Sequence, residues 1–140
     1  MKKLTSLFIT ALLLLSGCGS VPLTGRKQIL LVSDQEVLTS SLTQYSEYIK
    51  SAPLSTNANG KAMVVRVGKK IAAATEQYLK ANGLSSELSN FAWEFNLVKD
   101  NQVNAFCMPG GKIVVYEGLL KLVSSDDELA VVVGHEVAHA

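Results

Sequence analysis

Apolar residues recur along this chain with two different periods, and the change from one to the other predicts its elements. Ser33 and Glu36 have capping-box spacing, and Val37, Leu38, Leu42, Tyr45 and Ile49 follow at helical intervals, which predicts a helix over 34–50. A polar stretch with Pro53 reads as a loop over 51–60. Over 61–81, Val64, Val67, Ile71, Ala74, Tyr78 and Leu79 form a second helical stripe, with cations on the far side and Asn82-Gly83 as the stop. The period then drops to two. Phe91, Trp93, Phe95 and Leu97 alternate with Ala92, Glu94 and Asn96, the pattern of a half-buried strand. Two further strands are expected over 103–108 and 112–116, separated by Pro109-Gly110-Gly111, whose glycines serve the turn, and hairpin links are expected between the strands. A last helix starts at the Ser125 and Glu128 capping box, with Asp126 and Asp127 where acids suit the helix dipole. Leu129 to Val133 is apolar on every side, so this helix is expected inside the domain. The sum is an α+β domain, mainly helical, with a small sheet beside the last helix.

The first residues change the picture. Met1 to Lys3 are basic and Leu4 to Leu15 mostly apolar, the length of a secretory signal and short for a bilayer span. Leu15-Ser16-Gly17-Cys18 resembles the lipobox of bacterial lipoproteins, which implies cleavage before Cys18 and a diacylglycerol on its thiol. Gly19, rather than aspartate, resembles the sorting signal for the outer membrane. The expected organisation is a signal peptide over 1–17, a lipidated and extended tether over 18–32, and a folded domain over 33–140. The partner implied at this end is the membrane, through the Cys18 lipid, on the periplasmic face of the outer membrane.

Charge excludes one function class. The chain has 13 Lys+Arg and 12 Asp+Glu, and removing Lys2 and Lys3 leaves 11 against 12, a net of −1. Nothing in that balance favours nucleic acid. If Cys18 carries lipid, Cys107 has no disulfide partner in the chain and reads as a buried strand residue.

The candidate chemistry sits at the far end. His135-Glu136-Val137-Ala138-His139 fits the HExxH pattern. Residues four apart on a helix share a face and lie about 6 Å apart along the axis, so both imidazoles can reach one Zn²⁺. Glu136 is rotated away by about 100°, beside the ion's water rather than on the ion. Zinc lowers the pKa of its water to about 7 and polarises a carbonyl, and a carboxylate there is suited to take the proton. With only two histidines and eight glutamates in the chain, chance rarely builds this pattern. Glu128 lies about 10 Å along the axis from His135, too far to share the ion, and its capping role is preferred. Cys107 reads as core rather than ligand.

The stretch from Val103-Asn104-Ala105-Phe106-Cys107-Met108-Pro109-Gly110-Gly111 to Tyr116-Glu117-Gly118-Leu119-Leu120, with Asp127-Glu128-Leu129-Ala130 and the histidine helix, resembles the M48 family of zinc metallopeptidases. The small bacterial lipoprotein members are the nearest in pattern, and Pro22-Leu23-Thr24-Gly25-Arg26-Lys27-Gln28 resembles the segment after their lipidated cysteine. The resemblance implies one zinc ion, with His135 and His139 as ligands and Glu136 as general base. It also implies a third ligand, a glutamate on a later helix, expected beyond residue 140. Two histidines alone hold zinc weakly, so these 140 residues are not expected to be a competent enzyme by themselves.

Asn104, Ala105 and Phe106 are candidates for the strand that holds a substrate backbone. The substrates implied are proteins or peptides, in particular misfolded envelope proteins, cut internally in quality control. A second class stays open at this point: a non-catalytic lipoprotein that binds envelope proteins as a chaperone or assembly factor on a relic of the peptidase fold. The reading frame beyond the Ala140 codon separates the two, since continuation into a helix with a suitable glutamate favours the enzyme.

Overall fold

The computed structural model describes residues 32–140, together with the backbone of two short strands, β1 (Cys18–Ser20) and β2 (Lys27–Ile29). The expected signal peptide lies outside the described residues. The chain divides into two compact units, Met1–Glu36 and Val37–Ala140. In the first, β1 and β2 pair antiparallel, with Cys18 opposite Ile29, Gly19 opposite Gln28 and Ser20 opposite Lys27. The segment expected to be an extended tether thus contains two paired strands, with residue 29 opposite residue 18. No helix among the described residues is long and apolar enough to cross a membrane.

Two helices come first, α1 (Asp34–Ser51) and α2 (Ala58–Ala81). Both ends of the Ser33 and Glu36 box close: Glu36 N–H donates to Ser33 Oγ at 3.2 Å and Ser33 N–H donates to Glu36 Oε2 at 3.0 Å. The α2 helix starts three residues before the expected position. Asn57 caps it, accepting from Gly60 N–H at 3.0 Å, so the Asn-rich end of the loop belongs to the helix.

A 3₁₀ segment (Ser85–Asn90) leads to three strands, β3 (Glu94–Val98), β4 (Ala105–Met108) and β5 (Lys112–Tyr116). The β4 and β5 strands form the expected hairpin, paired from Ala105–Val115 to Met108–Lys112. Gly110 and Gly111 have φ of 89° and 76°, and a Cβ on Gly111 would lie 2.6 Å from the Trp93 ring, so this turn requires both. The β3 strand does not continue that hairpin. It pairs with β5 in parallel, Glu94 with Lys112 through Val98 with Tyr116, and the sheet order is β3-β5-β4. β5 is therefore central, and Val114 and Val115 are wholly buried.

The sheet is covered on both faces, and β3, an edge strand, is buried at Leu97 and Val98 and half-buried just before them. Below it, α2 and α4 (Asp126–His139) pack on Leu97, Ala105, Ile113 and Val115 through Val64, Val67, Leu129 and Val133. α2 approaches β3 so closely at Gly68 that a Cβ there would sit 2.3 Å from Phe95. Above it, α1 lays Tyr45 on Val98 and Val114. Tyr45 Oη donates to Glu94 Oε2 at 3.1 Å and accepts from Asn96 Nδ2 at 2.6 Å. Between β5 and α4 lies one short helix, α3 (Glu117–Leu120).

The candidate metal centre

Ser125 caps the helix that carries the histidines: its Oγ accepts from Glu128 N–H at 3.2 Å, and the Glu128 carboxylate accepts from Ser124 N–H. That satisfies one orphan donor of the first turn and the N–H just before the cap, and assigns Glu128 to capping. Arg66 of α2 holds the same turn in a two-pronged contact with Asp126, 2.6 Å for each bond. Leu129 and Val133, 0% and 1% exposed, fix the rotation of α4 against the sheet.

With that rotation set, the helix is buried on one face only. Val131 is 74% exposed, and His135 and His139 lie on the open side. α2 and the sheet cover one face of α4, and no described residue covers the other.

His135 and His139 turn their Nε2 atoms toward each other, 3.1 Å apart, with ring centroids 4.5 Å apart and planes at 81°. Two nitrogens bound to one tetrahedral zinc at about 2.0–2.1 Å stand about 3.3 Å from each other, so the pair fits as two members of a ligand set. The same separation suits an N–H···N hydrogen bond, in which one ring donates and the other accepts. No cluster of three or more His, Cys, Asp or Glu able to hold an ion exists among the described residues.

Glu136 is half-buried, next to the sheet. Its carboxylate is near enough to Cys107 on β4 to act on it: burial first, then the Glu136 charge, push the Cys107 thiol up to about 12. Cys107 is free and only partly buried, and its Sγ lies 3.6 Å from the Met108 carbonyl as a donor. It is thus a protonated wall of the site that also packs against the core, partly rather than fully buried.

The candidate substrate strand, β4, is an edge of the sheet and packs against α4. Tyr116 N–H donates to the Asn104 carbonyl at 3.0 Å, which fixes the phase of the ladder. Asn104, Phe106 and Met108 then face β5, and Ala105 and Cys107 turn their N–H and C=O outward. Of the three sequence candidates, Ala105 offers backbone groups to the edge, whereas Asn104 and Phe106 spend theirs on β5. The Phe106 side chain packs edge-on to Tyr48 and Tyr116 on the opposite face. Cys107, missed as an edge residue, was findable only once the pairing phase was known. A groove of about 370 Å³, lined by Leu42, Tyr45, Ile49, Glu94 and Lys112, lies on the α1 face of the sheet, away from the histidines.

Comparison with known proteins decides the family. The sequence profile of peptidase family M48 matches residues 66–140, more than half of the chain. The chain belongs to peptidase family M48. It is 52% identical over 61 residues to the mitochondrial metalloendopeptidase OMA1 of Arabidopsis thaliana, covering 44% of this chain and 13% of that protein. It is 35% identical over 74 residues to the metalloprotease LoiP of Escherichia coli, covering 49% of this chain and 29% of that one. It is 38% identical over 47 residues to the beta-barrel assembly-enhancing protease of Yersinia pestis, covering 34% and 10%. The chain spans less than a third of each of these relatives. As an M48 member its mainly helical α+β fold, with three strands beside the histidine helix, is the expected one.

Proposed function

We propose that this chain carries the front part of a zinc-dependent endopeptidase site that cuts proteins of the bacterial envelope. The observation that carries the reading is the pair of Nε2 atoms 3.1 Å apart, one helical turn from each other, flanked by Glu136 and by a sheet edge. His135 and His139 would hold the ion, and a third protein ligand lies outside the described residues. When bound, zinc supplies the Lewis acidity that sharpens a carbonyl and a water toward attack.

The residues of the chain do the rest. Glu136 takes the proton of the attacking water and delivers it to the departing amine. Ala105 and Cys107 hold the substrate in extended form through their outward N–H and C=O groups, as a strand added to the β4 edge. Cys107, kept as a thiol, leaves Glu136 as the base beside it. The relatives named for metalloendopeptidase and protease activity support this chemistry, and the name of the Yersinia protein supports an envelope setting. Anchoring through a lipid on Cys18, and a part in removing misfolded envelope proteins, belong to the same proposal.

In the natural polypeptide Glu136→Gln is expected to keep zinc and lose hydrolysis by at least about 100-fold, because it removes the base and spares the ligands. His135→Ala is expected to lose the metal. Near-normal turnover in Glu136→Gln, or unchanged zinc content in His135→Ala by elemental analysis, ends this reading.

A further inference from the structure

The pairing of β1 with β2 sets how far the domain can stand from its anchor. Cys18 lies opposite Ile29, and α1 begins at Asp34, five residues later. Cα atoms of paired residues lie about 4.5–5.5 Å apart. Five residues of chain reach at most about 17 Å. With the ribbon closed, Asp34 therefore stays within about 22 Å of Cys18. The sixteen residues from Cys18 to Asp34, fully drawn out, reach about 55 Å.

We propose that the β1–β2 ribbon is a leash shortener: it confines the peptidase domain to the surface of the bilayer and so selects substrates whose cleavable segments emerge beside the membrane. The inference rests on the lipid anchor at Cys18 proposed above and deepens that reading by naming a substrate class. A domain of about one hundred residues has a radius of gyration of about 13 Å, smaller than the difference between the two leash lengths. Closing the ribbon thus changes which substrates the site meets, not merely how often. Three residue pairs without a third strand are marginal in water, so a single proline is enough to open the ribbon.

The test uses the full lipidated chain in phospholipid vesicles whose headgroups carry an energy acceptor, with Trp93, the single tryptophan, as donor. Gln28→Pro and Ile29→Pro are made separately. Adjacent residues face opposite sides of a strand, so one of the two removes an N–H that faces β1 whatever the phase of the ladder. A ten-residue Gly/Ser insertion between residues 29 and 34 is the long-leash control. At least one proline variant is expected to lose energy transfer by about twofold or more, toward the level of the insertion, as the reach rises from about 22 to about 55 Å. Native transfer in both proline variants beside a fall in the insertion control overturns the leash. Failure of Cys18 to take up labelled palmitate overturns the anchor itself, and is read independently of the fluorescence.

Discussion

Lys112 and Glu94 form an ion pair whose two ends live in different media: the Lys112 side chain is 6% exposed and that of Glu94 is 52% exposed, with Nζ and Oε1 2.7 Å apart. The ammonium also donates to the Ala92 carbonyl and lies over the Tyr45 ring. The two halves of the pair therefore do not cost the same to remove. Glu94→Gln leaves a buried cation short of its charged partner and is expected to cost about 1–3 kcal/mol. Lys112→Met keeps the buried stem, leaves a carboxylate that water can serve, and is expected to cost less than about 1 kcal/mol. Urea denaturation of the two variants checks the order, and the reverse order refutes the argument.

Acid should weaken the fold through three carboxylates. The bond from Lys112 holds the Glu94 carboxyl below the ordinary carboxylate range, the Ser33 N–H does so for Glu36, and Arg66 does so for Asp126. Each has a folded pKa below its unfolded one, so its contribution is complete above the unfolded value and is lost as pH falls through the folded value. Urea midpoints are expected to be flat with respect to these groups from pH 7 to about 5 and to fall below about pH 4. Glu94→Gln should flatten part of that fall. An acid limb unchanged in that variant removes Glu94 from the account.

Two helical glycines should respond in opposite directions to alanine. At Gly134 the nearest atom to a new Cβ is Ile71 Cδ1 at 3.7 Å, an ordinary contact, so Gly134→Ala is expected to stabilise by about 0.5–1 kcal/mol through helix propensity. At Gly68 the same methyl would meet the Phe95 ring at 2.3 Å, and Gly68→Ala is expected to cost about 1–3 kcal/mol. Thermal midpoints of the pair decide whether α2 lies as close to β3 as described.

The one-sided burial of α4 is tested in the same manner. Leu129→Ala should destabilise by about 2–5 kcal/mol, and Val131→Lys should change stability by less than about 0.5 kcal/mol. A large loss from Val131→Lys would mean that its face is covered.

The state of the Cys107 thiol gives a chemical check. With its pKa pushed up to about 12, it is a thiol at pH 8 and should react with iodoacetamide at least about 100-fold more slowly in the folded chain than in urea. Peptide mapping distinguishes it from Cys18. Rapid alkylation in the folded state would remove it from the wall beside Glu136.

Much of this was legible in the residues because the determinants are local. The Ser33 and Glu36 capping box, the Ser125 cap, the Pro-Gly-Gly turn and the one-turn spacing of His135 and His139 depend on groups within four positions of each other. Asn57 was lost in a polar stretch where any of several residues could cap. What the sequence could not carry was long-range. The parallel pairing of β3 with β5 joins residues eighteen apart across a hairpin and leaves β4 as an edge, and the phase of the β4–β5 ladder then decides that Ala105 and Cys107 face out.

The central place of β5 also has a consequence for assembly. β3 leaves the ribosome before β4, yet the two never touch as neighbours, and both wait for residues 112–116. A nascent chain halted at the Pro109 turn would hold two unmatched ribbons of backbone and an α2 helix with no sheet beneath it. Tyr116 is thus the point at which the three-stranded sheet of this polypeptide, emerging from one end, first becomes able to close.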